Sequence, residues 1–256
     1  KLYFMINKGV SLKSLERYNE AIETYDEALK TFPANPKLWF NKATCYVALE
    51  NVPKAVEALK KAISISPFHR NAHLYLGNLC YKQQLTTQAL MCYNMALLVE
   101  PDSERAFALL NYLNEAISSK NENEPYEDVT ISEDDEAFED IDLILDNRIA
   151  LNNKYEVDNP VEIAVVRQNH AMLEQLSNFE GNGDFWDRHY VPLFKWISDN
   201  NLFDEFTYTI NYSIKNEKYQ KIVSKKTDDI TTFLGAMINK YFEIMSPQNK
   251  SLNNEE

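Results

Sequence analysis

The sequence predicts an all-α protein, and three observations carry that prediction. Glycine and proline are sparse, five and nine in 256 residues, which is thin punctuation for a multi-stranded β fold and comfortable for long helices. The first hundred residues repeat themselves at a step of 34, a length suited to one helical hairpin in a stacked array. From about residue 137 onward apolar residues return at helical spacing. With 45% hydrophobic residues the chain is not a disordered one, and 256 residues leave room for one large or two modest domains.

The repeat comes first in the chain. Pro33, Pro67 and Pro101 keep the 34-residue step without drift, as do Ala21, Ala55 and Ala89, and Ala28, Ala62 and Ala96. The small residues Gly9, Ala43 and Gly77 keep it, with the bulky Tyr25, Leu59 and Tyr93, and Lys8, Lys42 and Leu76 stand before the small one. Two antiparallel helices approach closely only where side chains are small, so Gly9 with Ala21, Ala43 with Ala55 and Gly77 with Ala89 mark hairpin contacts. Trp39, Tyr46 and Leu59 are the core plugs of the second copy, and each proline ends a second helix before the next hairpin. A helix from about Glu104 to Ser118 continues the pattern through Phe107, Leu110 and Leu113 and then fails, as a capping helix would.

These columns, in the order aromatic, Leu-Gly, Tyr, Ala, aromatic, Ala, Pro, resemble the tetratricopeptide repeat family. Trp39, Leu76, Gly77, Tyr46, Ala21, Tyr25, Ala28 and Pro33 are the individual matches over about residues 2–103. Met5 and His73 depart from Trp39, and Leu12 and Cys80 from Tyr46. The resemblance implies a superhelix of three repeats plus a capping helix over 1–118, whose first helices line a concave groove. It places Tyr3, Ile6, Asn7 and Val10, then Lys37, Phe40, Asn41 and Thr44, then Asn71, Tyr75, Asn78 and Lys82 in that groove. Ile6 and Phe40 fit an inter-repeat core position equally well. The asparagine amides suit a guest peptide or partner helix.

Some members of the family capture a chaperone's C-terminal carboxylate with two Lys, two Asn and one Arg. At the matching places this chain has Ile6, Val10, Asn41, Asn71 and Tyr75, so only Asn41 survives and a carboxylate clamp is not expected.

An acidic linker is expected over 119–136. Between Asn121 and Asn147 lie twelve Asp and Glu and no Lys or Arg, which accounts for most of the net charge of −13. Pro125 and the lack of apolar periodicity suggest a solvated spacer, or else a segment drawn to basic residues of its own repeats or of a partner. A second helical domain of no recognised family follows over 137–246. Phe138, Ile141, Ile144 or Leu145, and Ile149 predict a helix at about 137–152. Asn159-Pro160 with Glu162 starts another, buried through Ile163, Val166, Leu173 and Leu176 as far as about Asn178. Gly181-Asn182-Gly183-Asp184 breaks the chain, and Asp184 caps a helix holding Phe185, Trp186, Tyr190, Phe194 and Trp196 that Pro192 kinks or splits. Further helices are expected at about 201–214, 217–225 and 228–245, with Ile230, Phe233, Leu234, Ile238 and Tyr241 on one side of the last. Residues 247–256 form a polar tail.

Chemistry is hard to find. His170 and Glu174 share a helix face and could bind a metal with His189, near Asp187, but any histidine in a charged helix meets a carboxylate, so surface or satisfied structural histidines are expected. No phosphate-binding glycine loop, nucleophile elbow or paired CxxC is present, and no cofactor or metal is implied. Cys45, Cys80 and Cys92 lack metal or redox spacing and suggest reduced thiols in a cytoplasmic setting. The acidic balance argues against nucleic acid, and the basic stretch Lys215 to Lys226, broken by Glu217, is a solvated helix face. No apolar run reaches the roughly 18 to 20 residues of a membrane span. No secretory leader is visible, and the chain opens at Lys1 inside a helical pattern, as a fragment would.

The expected function is a scaffold or adaptor that holds a peptide or partner helix in its groove without catalysis. The alternatives are a regulatory protein whose second half carries an unrecognised enzymatic or ligand-binding role, and self-association through the open repeat edge near Lys1.

Overall fold

The computed structural model describes residues 1–119, 122–126, 129–132, 135–147, 152 and 154–246, and all regular structure among them is helical. Three hairpins open the chain: α1 (Leu2–Ser14) with α2 (Tyr18–Thr31), α3 (Pro36–Ala48) with α4 (Val52–Ile65), and α5 (Arg70–Lys82) with α6 (Thr86–Val99). A seventh helix, α7 (Glu104–Ser118), follows. The 34-residue step is written in the backbone as well as in the side chains. Glu16, Glu50 and Gln84 turn each hairpin with φ of 58°, 55° and 62°, a left-handed conformation that L residues adopt only singly. Asn35, His69 and Ser103, again one step apart, cap α3, α5 and α7 by accepting from the amides of Leu38, Ala72 and Ala106. Each cap satisfies a backbone donor that the first turn leaves open.

The small-residue column has a sharper cause than close approach alone. A Cβ added at Gly9 would lie 2.3 Å from the ring of Tyr25, and one at Gly77 would lie 3.0 Å from the ring of Tyr93. Where the second copy carries Leu59 in place of those tyrosines, it carries Ala43 in place of glycine. Both members of each pair are buried. The hairpin therefore allots a fixed volume to two positions 16 residues apart, and a ring at one takes the methyl group from the other.

The second half contains α8 (Glu139–Asp146), led by a 3₁₀ turn at Asp135–Phe138, then α9 (Ala164–Leu176), α10 (Phe185–His189), α11 (Val191–Asp199), α12 (Phe203–Ile210), α13 (Glu217–Val223) and α14 (Thr227–Ile244). Pro192 does split its helix, since α10 ends at His189, Tyr190 lies between the two, and α11 begins one residue before the proline. The helix expected from Asn159 starts later, at Ala164. Asn159 Oδ1 instead accepts from Val161 N while its amide donates to Asp204, and Val161 is buried, so the segment is held as a turn. Ile149 and the tail 247–256 lie outside the described residues.

One continuous core runs from Ala43 to Tyr241 and joins both halves of the chain. Its axis is α6, which is buried on all sides from Thr87 to Leu98. Helices α5, α7, α8 and α12 pack against it. Buried polar pairs tie the halves together. Asn94 and Asn169 exchange amide bonds of 2.7 and 3.1 Å. His73 Nε2 faces the carbonyl of Pro67 at 2.8 Å, so this nitrogen carries the proton and Nδ1 accepts from Tyr190 OH at 2.7 Å. Burial holds this imidazole neutral, with its pKa lowered to about 4. The N-terminus of α6 has no cap from its own sequence. Asp142 of α8 supplies one, accepting from both the amide and the hydroxyl of Thr87.

The acidic stretch is not a solvated spacer where it is described. Ile131 and Ser132 are buried, Gln83 donates to the carbonyls of Tyr126 and Val129 and accepts from Tyr126 N, and Gln84 donates to the Asn123 carbonyl. Lys60 donates to Ser132, and Lys82 sits over the ring of Tyr126. The stretch thus lies along the third hairpin and meets two lysines of the repeats.

Two outcomes are expected. Gly9→Ala should destabilise the chain by about 1–2 kcal/mol, over-packing outweighing the better helix propensity of alanine. Combining it with Tyr25→Leu should recover about 1 kcal/mol of coupling in a double-mutant cycle by urea unfolding, and strict additivity would refute the shared-volume account. The second concerns Asp142, whose pKa burial raises from 3.8 to about 7. Between those values the folded chain binds more protons than the unfolded one, so this group's contribution to stability falls as pH rises through the window. Asp142→Asn keeps the acceptor for Thr87 without the charge. Its stability relative to the parent should therefore climb between about pH 4 and pH 7, by at most about 1.4 kcal/mol per pH unit.

Candidate interaction surface

The twelve positions expected to line the groove fall on one face of α1, α3 and α5, because within each helix they are spaced three or four residues apart. Tyr3 is 79% exposed and Val10 39%, with Asn7, Lys37 and Asn78 also exposed. Ile6, Phe40, Asn41, Asn71, Tyr75 and Lys82 are half-buried. Helix α1 touches α3 directly, so the first helices of adjacent hairpins lie side by side. Phe40 bridges the second and third hairpins, its ring 4.8 Å from His69 and edge-on to Tyr75 at 5.4 Å. Its dual reading as core and surface is resolved as both, packed on one side and open on the other.

Thr44 corrects the expectation. It is only 7% exposed, because its hydroxyl donates to the Asn41 carbonyl and accepts from Lys13 Nζ at 3.0 Å. Lys13 therefore covers the spot that Thr44 was expected to present. Asn71 accepts from Arg70, and Asn78 accepts from Tyr93 OH at 3.0 Å, so their carbonyl oxygens are already engaged while their amide donors remain to be paired. At the far end Lys82 meets Tyr126 of the acidic stretch, which closes that end of the row. Gln83 and Gln84 anchor the stretch; Gln84 holds the hairpin-turn position that Glu16 and Glu50 hold in the other copies, and the period marks that turn without marking what the two side chains bind.

The metal candidates do not assemble. Tyr155 OH lies 2.6 Å from both His170 Nδ1 and Glu174 Oε2. His189 is buried elsewhere, between Ser64 Oγ and the Phe185 carbonyl at 2.9 Å each. Asp187 accepts from Gly183 N and holds the Gly-Asn-Gly-Asp turn. Among the described residues no group of three or more His, Cys, Asp or Glu is placed to hold a metal ion, and no helix is long and apolar enough to cross a membrane.

A model of the tetratricopeptide repeat matches residues 6–69. The N-terminal hairpins are tetratricopeptide repeats. The match, the 34-residue step and the helix pairs coincide, and the third hairpin continues the same register past the matched span. Among curated proteins the chain is 30% identical over 125 residues to RNA polymerase II-associated protein 3 of Mus musculus and 28% identical over 125 residues to that of Rattus norvegicus. In each case the similarity covers 49% of this chain and 19% of the relative, so the chain spans about a fifth of the curated relatives it matches. Among solved structures it is similar to the first TPR of Spaghetti (RPAP3) bound to HSP90 peptide SRMEEVD, with 26% identity, 46% of this chain and 94% of that chain covered, and a TM-score of 0.42. The repeats place this chain among proteins built for interaction with other proteins, and the first-helix face is where that expectation has to be tested.

Proposed function

We propose that the protein is a non-catalytic adaptor whose tetratricopeptide first-helix face, from Tyr3 to Lys82, receives an uncharged stretch of a partner polypeptide. The observation that carries this reading is an asymmetry of the repeats. Their second-helix side is occupied by the chain's own second half, through Ser64 with His189, Lys60 with Ser132 and Thr87 with Asp142. Among the described residues their first-helix side carries no such covering from Tyr3 as far as Asn78, apart from the engaged groups named above. Aromatic rings at Phe40 and Tyr75 offer apolar anchorage, and the amides of Asn7, Asn41, Asn71 and Asn78 offer donors to a backbone.

The guest is not read as a chaperone tail. A bound carboxylate needs cationic partners, and the matching positions are Ile6, Val10, Asn71 and Tyr75, with Asn41 alone in common. The three cysteines are free and buried, which fits the reducing cytoplasm in which such an adaptor would work.

Affinity purification with quantitative mass spectrometry tests the face. Proteins retained by the parent chain should be lost from Asn41→Ala/Tyr75→Ala, with the melting temperature of the variant monitored in parallel. An unchanged set of retained proteins in a folded variant would remove the first-helix face from the proposal. The absence of a clamp is tested separately by fluorescence polarisation with SRMEEVD as free acid and as C-terminal amide. Any residual affinities should agree within about threefold, and a free acid bound more than about tenfold tighter would require a carboxylate site that these residues do not provide.

A further inference from the structure

A second recess lies away from the first-helix face, where the end of α5 and the start of α6 meet α7, α8 and α9. It encloses about 330 Å³, room for one long side chain and not for a helix. Its walls are mainly apolar, with Leu90 and Leu113 beside the rings of Tyr81 and Tyr93. Its polar groups include two acceptors that face no cation among the described residues. Gln168 is 4% exposed and lines the recess. Its Nε2 donates to the Leu145 carbonyl, and since that carbonyl can only accept, the amide orientation is settled and Oε1 is the other atom. That Oε1 is buried without a hydrogen-bond partner. Asp146 stands at the exposed rim, its Oδ1 accepting from Thr86 Oγ1 at 2.7 Å. Asp142 lies one turn earlier on α8, and no Lys or Arg among the described residues lines the recess.

A buried amide oxygen without a donor is an unfavourable arrangement unless a ligand supplies one. The ligand that complements a carboxylate, an amide oxygen and tyrosine faces in an apolar slot carries donors only, on an aliphatic stem, with a flat cation able to stack. We infer that this recess binds the side chain of an arginine presented by a partner polypeptide. Its guanidinium donates to Gln168 Oε1 and Asp146, and its methylenes lie along Leu90 and Leu113. An ammonium would satisfy the charge but would lack the planar fork and the stacking face.

The intact chain can be titrated with N-acetyl-arginine amide, N-acetyl-lysine amide and N-acetyl-citrulline amide while the Gln168 side-chain amide and the Tyr81 and Tyr93 rings are followed by NMR. The arginine compound should shift these signals saturably with a dissociation constant on the order of 1 mM. Citrulline, of the same shape without the charge, should bind at least about tenfold more weakly. Asp146→Asn, a change at the exposed rim, should weaken the arginine compound by about tenfold, and Gln168→Met should do the same if it folds. No shift at these residues, equal affinity for citrulline, lysine bound as tightly as arginine, or an unaffected Asp146→Asn would each overturn the assignment. Arg148→Ala should leave the affinity within about threefold of the parent. A large gain would identify the chain's own arginine as the occupant and overturn the assignment to a partner.

Discussion

The architecture depends on one constraint: α6 is apolar on every face and has to be covered on every face. An ordinary second helix in a stacked hairpin hides one side and shows water the other. Helix α4 does so, leaving Lys54, Glu57 and Lys61 exposed. Helix α6 has no Lys, Arg, Asp or Glu between Thr86 and Val99 and only Thr, Gln and Asn as polar residues. The repeat stack alone cannot bury such a helix, so α8, α9 and α12 close around it, and two of its polar side chains find single partners there, Asn94 in Asn169 and Thr87 in Asp142. Covering the second-helix side in this way leaves the first-helix side as the more open one among the described residues.

Much of the first half was legible because its constraints are local and recur. Prolines, hairpin glycines and caps each act over a few residues, and three copies turn a weak signal into a periodic one. The second half has no second copy to compare with, and its helices depend on distant partners. Asn159-Pro160 has the chemistry of a helix start, yet burial of Val161 and the bond from Asn159 to Asp204 win, and the helix waits until Ala164. The all-round apolar character of α6 was open to reading in the same way. Its missing polar stripe points to a covering layer on that side in addition to the capping helix α7.

The candidate surface was legible in outline and not in detail. Position within a repeat says which way a side chain faces, which placed eleven of the twelve residues at least partly open. It does not say what a long neighbour will do, and Lys13 reaches across to bury Thr44. The recess beside Gln168 was not legible at all. Five helices and the turn between α5 and α6 contribute to it, from Tyr81 to Gln168, and no spacing in the chain encodes that convergence. The His170 and Glu174 pair shows the converse, in which a helical spacing could suggest chemistry but both histidines are hydrogen-bonded separately, His170 to Tyr155 and His189 to Ser64.

The acidic stretch shows how composition and role can part. Its charge density reads as solvation, and part of it does face water, but three of its carboxylates are built into the structure. Asp135 accepts from the amides of Ile131 and Ser132 and from Trp186 Nε1, Asp142 caps α6, and Asp146 holds Thr86. Burial raises the pKa of all three, so each is kept as an anion against its surroundings or carries a proton instead. A stretch with no cation of its own therefore draws on backbone amides, hydroxyls and an indole for compensation. Where those donors run out, at Gln168 Oε1, a buried acceptor is left without a hydrogen-bond partner among the described residues.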